Sequence, residues 1–336
     1  MKKNTGELIT HELKNIFKSI KLISSSSYIF QNQNFSYGMT YEEIENSNNS
    51  NYYFELNDII YQLFHCRRDI FSNTEEMSSE LVADKEFMEI LSEANFGSGT
   101  WEPGWRINSV GKDIIVEKEG LCLWTSPNFF YNEQKTKNVG DIGYLFLPKE
   151  FRFLNPGFYM ALSDAPLDFE SCYLKIYWNI QERGVPLLVN KITSSFNKLY
   201  IPFQLKVLNQ RKNYPRSDSA VLYVNIADLQ EEKKHFWKIY HMIKNYLYED
   251  TSIFTKKIGP GVGLAEEIDD GEGFGQRRSI IVADSIISCF RKKITNLDEM
   301  VIETKKHFQK QGLDLSAPYL NSPNGDHYND LIIKKV

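Results

Sequence analysis

The sequence predicts an α+β protein: a helical N-terminal layer followed by a mostly antiparallel, twisted sheet flanked by helices. Three observations predict it. Up to about residue 95, apolar residues recur at helical spacing. From about residue 97 they alternate in short runs bounded by turn residues. Two amphipathic stretches then follow the runs, a grammar of segregated helices on an antiparallel sheet.

The elements read as follows. Residues 8–23 have apolar positions at helical spacing, as do 41–45 and 52–71; the last places Leu56, Ile59, Ile60, Leu63 and Phe64 on one stripe. Polar stretches at 24–27 and 45–51 interrupt them as loops. Residues 84–95 make another short helix, and this whole layer is expected to cover one sheet face. Residues 96–107 form a Gly/Pro/Trp turn region, and 114–126 hold two β runs around Glu119-Gly120. Residues 142–147, 158–162, 173–180, 185–189, 200–208 and 220–226 are further strands. Residues 231–250 are an amphipathic helix with Phe236, Ile239, Tyr240, Ile243 and Leu247 on one side, and 278–293 are a second. After Gly312 the tail is polar and reads as loosely ordered. The chain thus divides into a helical region at 1–95, a sheet-bearing domain at 96–312 and a tail at 313–336.

The bulk composition excludes several classes. Of the 336 residues 42% are hydrophobic and 25% charged, as in ordinary globular proteins. The net charge of −5 argues against general nucleic-acid binding, so basic residues matter here by position. No apolar run approaches the ~20 residues of a membrane span. The start is basic but has no apolar signal core, which points to a cytoplasmic address. Cys66, Cys122, Cys172 and Cys289 are widely spaced and read as thiols, not as a disulfide or zinc framework.

The informative feature is cationic. In 173–180 the alternation puts Lys175, Tyr177 and Asn179 on one face and Ile176, Trp178 and Ile180 on the other. In 203–208 it puts Gln204 and Lys206 opposite Phe203, Leu205 and Val207. Lysines inside half-buried strands are costly to desolvate unless something anionic is to be held there. Singly, each reads as an edge-strand or snorkelling residue. With Arg211, Arg216, Arg277 and Arg278 they suggest an anion floor, because arginine forks match phosphate oxygens.

Other chemistry finds less support. Gly259, Gly261 and Gly263 fit neither a P-loop nor a dinucleotide fingerprint; they read as a wide surface loop or as a lid and amide cradle over a polar substrate. The acidic run Glu266, Glu267, Asp269, Asp270 and Glu272 lacks calcium-loop spacing and reads as a solvated turn. The six histidines form no metal array, none lies on the central strands, and no nucleophile-elbow motif occurs.

The stretch Y214-P-R-S-D-S-A-V-L-Y-V224, followed by F254-T-K-K-I-G-P-G-V-G-L-A and G271-E-G-F-G-Q-R-R-S279, resembles the HopA-type effector family over roughly residues 100–295. That family includes stand-alone proteins of class V lanthipeptide and thioamitide biosynthesis, similar in role to phosphothreonine lyases. The resemblance implies a lyase that eliminates phosphate from phosphoserine or phosphothreonine of a ribosomal precursor peptide, with no metal and no redox cofactor. It implies Lys206 as the base, Lys175, Arg211, Arg216 and Arg278 as phosphate ligands, and Tyr177 where phosphothreonine lyases carry a general-acid histidine. It implies a phosphorylated precursor peptide and a kinase-like protein as partners, and neither nucleic acid nor a membrane. The alternative is a non-enzymatic secreted effector or phosphoprotein-binding module that uses the same basic pocket.

Overall fold

A computed structural model describes residues 5–24, 27–36, 51–68, 83–166, 173–267, 273–322 and 325–333. It is α+β, with eight α-helices and three antiparallel sheets among the described residues. A hairpin sheet comprises β1 (Ile20–Ser24), β2 (Ser27–Phe30) and β3 (Gln33–Ser36). A five-stranded sheet holds β4 (Thr100–Val110), β5 (Ile114–Lys118), β6 (Leu121–Thr125), β7 (Phe130–Tyr131) and β8 (Ile142–Leu147). The principal sheet has seven strands: β9 (Glu150–Phe151), β10 (Phe158–Leu162), β11 (Tyr173–Trp178), β12 (Phe203–Leu208), β13 (Ala220–Asn225), β14 (Lys256–Gly259) and β15 (Val262–Glu266). Their spatial order is β14-β15-β11-β13-β12-β10-β9.

The period-2 pattern decides which face of this sheet does what. Leu174, Ile176, Trp178, Phe203, Leu205, Val207, Leu222 and Val224 all point to one face and are buried in the main core. Helix α4 (Val185–Lys198) and helix α6 (Lys233–Ile243) cover that face, with Phe196 against Phe203 and Phe236 against Trp178. Burying side chains of this size stabilises each contact by about 1.5–3 kcal/mol, enough to fix the strand register. Between α4 and α6 runs the short α5 (Ile226–Glu231).

The opposite face receives α2 (Asn51–Ile60), the π-helical turn Tyr61–His65 that continues it, and α7 (Phe274–Arg291). α7 in turn carries α8 (Leu297–Lys310), and α1 (Thr5–Ser19) packs on α8. α3 (Lys85–Ala94) is started by Asp84, whose side chain accepts the amide of Phe87. It lies against α4 and the β12 end of the sheet, where Phe87 meets Tyr214.

Several expectations need correction. Residues 185–189 are the first turns of α4, not a strand. The helix expected at 8–23 ends at Ser19 and the chain turns into β1. The helix expected at 231–250 ends at Ile243, followed by a 3-10 turn. Residues 41–45 lie outside the described residues. The tail is not loose where described: Leu313, Leu315, Tyr319, Leu320, Tyr328 and Leu331 are buried in the main core. Residues 259–263 are no surface loop but the β14–β15 hairpin of the principal sheet. Its turn rests on Gly261, whose φ of +67° favours glycine.

Candidate functional site

Two lysines from different strands meet over one tyrosine. Lys175 of β11 stands directly opposite Tyr223 of β13, and Tyr223 stands opposite Gln204 of β12. Directly opposed residues share a face, so Lys206, two residues beyond Gln204, projects from that face as well. The Lys175 and Lys206 ammonium nitrogens each lie 5.0 Å from the centroid of the Tyr223 ring. The ring quadrupole offsets part of the cost of burying both charges. Gln204, Lys206 and Tyr223 remain half-buried and form the opening of the site, while Lys175 is 5% exposed and lies at its floor.

The electrostatics distinguish the two lysines. Burial, and then the charge of Lys175, lower the Lys206 pKa to about 8, while Glu267 works in the opposite direction. Lys175 instead forms an ion pair with the Glu267 carboxylate. Glu267 follows β15 and donates its amide to the Tyr173 carbonyl, 3.1 Å away, which holds its backbone beside β11. The expectation of a solvated turn is therefore wrong for Glu267. Asp269, Asp270 and Glu272 lie outside the described residues, as does Cys172.

Tyr177 shares the lysine face but lies under the helical roof. Its ring meets His65 edge-on at 5.4 Å and Phe274 at 6.1 Å. Burial drives its phenol well above the usual tyrosine range, so the hydroxyl keeps its proton. His65 is buried too, its Nδ1 is 2.7 Å from Ser252 Oγ, and burial lowers its pKa to about 4. It is uncharged at neutral pH. No local pattern signals that a histidine from the N-terminal layer reaches this face.

Gly275 makes that approach feasible. A Cβ there would overlap the His65 ring. Gly275→Ala is expected to destabilise the fold by about 1–3 kcal/mol through overpacking, read as a fall of several degrees in Tm. An unchanged Tm would mean that the ring has room to move.

The arginines are less concentrated than expected. Arg216 is bidentate to Asp218, with Nε to Oδ1 at 2.8 Å and Nη2 to Oδ2 at 2.7 Å; Nη2 also lies 3.2 Å from Cys66 Sγ. Burial opposes its charge, but Asp218 and Cys66 outweigh it and hold the guanidinium protonated. This cluster, with Tyr61, borders Tyr177. Arg211 lies apart: it pairs with Asp84 and Glu86 and stacks on Phe87. Arg278 is completely buried and donates to the carbonyls of Pro318 and Leu320 and to Asn321 Oδ1. It therefore fastens the C-terminal segment to α7, with its guanidinium over Phe274. Arg211 thus serves a structural contact, Arg278 fastens the C-terminal segment while its charge also acts on Tyr177 and Glu267, and the lysine pair forms the cationic centre. Gly259 and Gly263 lie within paired strands, Gly263 opposite Tyr177, and form no lid. No group of His, Cys, Asp and Glu suited to a metal ion occurs among the described residues. No described helix is long and apolar enough to cross a membrane.

Residues 152–320 match the HopA1 effector protein family. That stretch carries Lys175, Lys206, Tyr223 and Glu267, and leaves out the five-stranded sheet and His65. No curated protein matches the chain. Among solved structures, the chain is similar to the effector protein from Pseudomonas syringae pv. tomato strain DC3000, at 16% identity and a TM-score of 0.49, over 94% of this chain and 96% of that one. It is also similar to the effector protein from Pseudomonas syringae pv. syringae strain 61, at 15% identity and a TM-score of 0.43, over 80% of this chain and 96% of that one.

Proposed function

The chain belongs to the HopA1 effector protein family, and from that premise we propose that it is a lyase acting on phosphoserine or phosphothreonine of a peptide. Lys206 removes the α-proton, the Cα–Cβ double bond forms, and the Cβ–O bond breaks to release phosphate. Serine yields dehydroalanine and threonine dehydrobutyrine. The observation that carries this reading is the pair of lysines over Tyr223, one of them with its pKa lowered to about 8. A base must be neutral to accept a proton, and a pKa near the working pH suits it to the task. The deeper Lys175 supplies fixed positive charge for a phosphoryl group that carries about −1.5 to −2 and gains charge as the ester bond breaks. Tyr177, with its proton retained, sits one pleat along from Lys175 and is proposed as a hydrogen-bond donor to the departing oxygen. Arg216 borders Tyr177 as an ion pair with Asp218, so its charge is balanced there. A kinase-like partner would supply the phosphorylated peptide, and a ribosomal precursor peptide is the proposed substrate.

The test is a mass measurement. The protein, incubated with synthetic phosphoserine and phosphothreonine peptides, is expected to yield products lighter by the elements of phosphoric acid that then add a thiol. Recovery of the free alcohol would show hydrolysis instead. A tight complex with unchanged peptide would favour the phosphopeptide-binding alternative.

A further inference from the structure

Glu267 is the residue that the lyase chemistry leaves without a task. Its carboxylate is paired with the floor lysine, Lys175, the cation that the deepest phosphate oxygen would need. The pair is mostly buried, with 7% of the lysine side chain and 16% of the glutamate side chain exposed. An internal anion therefore occupies the best cationic position in the site. An incoming substrate must offer Lys175 more than Glu267 does.

We propose that Glu267 is a specificity residue: it neutralises Lys175 in the empty site, so that only a dianionic phosphomonoester displaces it, while singly charged side chains are turned away. This inference rests on the lyase reading of the same site. A carboxylate, as in an aspartyl or glutamyl side chain, brings one charge and would merely exchange one carboxylate for another. It would gain nothing for the desolvation it costs. A phosphomonoester brings about −1.5 to −2 charges and three acceptor oxygens. It brings enough charge and enough acceptor oxygens to hold Lys175 and Lys206 together, whereas Glu267 brings a single charge to the two of them. Acidic peptide segments would otherwise be competitors at a site with one buried and one half-buried lysine. Discrimination here comes from an unfavourable exchange built against the wrong ligand, a common source of specificity.

The experiment compares three peptides of one sequence that carry phosphoserine (as its carbon-linked phosphonate, which cannot be eliminated), aspartate or serine at the reactive position. Their affinities for the full chain are measured by calorimetry, with wild type, Glu267→Gln and Glu267→Ala. Wild type is expected to bind the phosphoserine peptide best and the aspartate and serine peptides equally weakly. In Glu267→Gln the aspartate peptide is expected to gain about tenfold over the serine peptide, so that the phosphate-to-aspartate ratio narrows. Glu267→Ala should narrow it in the same direction, which separates loss of the carboxylate from any effect of the glutamine amide. An unchanged or wider ratio in both variants overturns the role given to Glu267 and leaves the lyase reading standing. Equal wild-type affinity for phosphoserine and serine peptides would overturn the lyase reading and this inference together.

Discussion

Lys206→Ala is expected to slow elimination from a phosphopeptide by about 100- to 10,000-fold, the usual contribution of a positioned base. Phosphopeptide affinity above pH 8 should change little. There wild-type Lys206 is already largely neutral, because burial and the charge of Lys175 lower its pKa to about 8. Its removal then takes away a proton acceptor and not a charge. The same shift fixes the direction of the pH dependence. The base works when deprotonated, so the wild-type rate should rise with pH through about 8 and level off above. An ordinary surface lysine would still be gaining activity near its reference value of about 10.4. Single-turnover rates on a pre-phosphorylated peptide across this range check both statements. Elimination by Lys206→Ala at wild-type rate would remove Lys206 from the mechanism.

Lys175→Met should weaken phosphopeptide binding by roughly two orders of magnitude, the scale for truncating one partner of a buried, hydrogen-bonded charge pair. It should also move the rising limb of the rate profile to higher pH. With Lys175 gone, one of the two causes that hold the Lys206 proton loosely is lost, and burial alone remains. The Glu267 carboxylate, freed from its partner, then favours the protonated form further. A merely structural role for Lys175 would lower stability without shifting that limb, so the pH profile separates the two. Methionine keeps the length and the apolar stem, which limits damage to packing.

Much of the sheet was legible because its strands alternate. Lys175 and Lys206 stand out in β11 and β12 for the reason that Trp178 and Leu205 are buried: a period of two separates the faces without knowledge of the partners. What joins the lysines is Tyr223, and that depends on register between strands almost fifty residues apart in sequence, which no local pattern encodes. The partner of Lys175 was hidden differently. Glu267 sits in an acidic run whose composition says only that it is hydrophilic. His65 reaches Tyr177 across more than a hundred residues of chain. The run 185–189 misled because a short apolar stretch fits a buried strand and a buried helix alike, and here a proline in its first turn belongs to the start of α4. The glycines of 259–263 suggested a loop because they carry no side chain to show alternation, yet Gly259 and Gly263 are paired in β14 and β15 and Gly261 makes the tight turn between them. Charge and the family resemblance group Arg211 and Arg278 with the lysines. Their neighbours, Asp84 and the Pro318 and Leu320 carbonyls, come from distant segments and give each a structural contact that no local pattern shows.

The roof over Tyr177 has a practical corollary. His65 contributes no charge, but it closes the apolar side of the site from outside the stretch that matches the family. Ser217 and Cys66 tie the two regions by a backbone hydrogen bond of 2.7 Å. An expression fragment trimmed to residues 152–320 would therefore leave a tyrosine, a phenylalanine and the Arg216 cluster facing water. The smallest unit worth producing for enzymology begins upstream of α2, even though every residue proposed to take part in the reaction lies well after it.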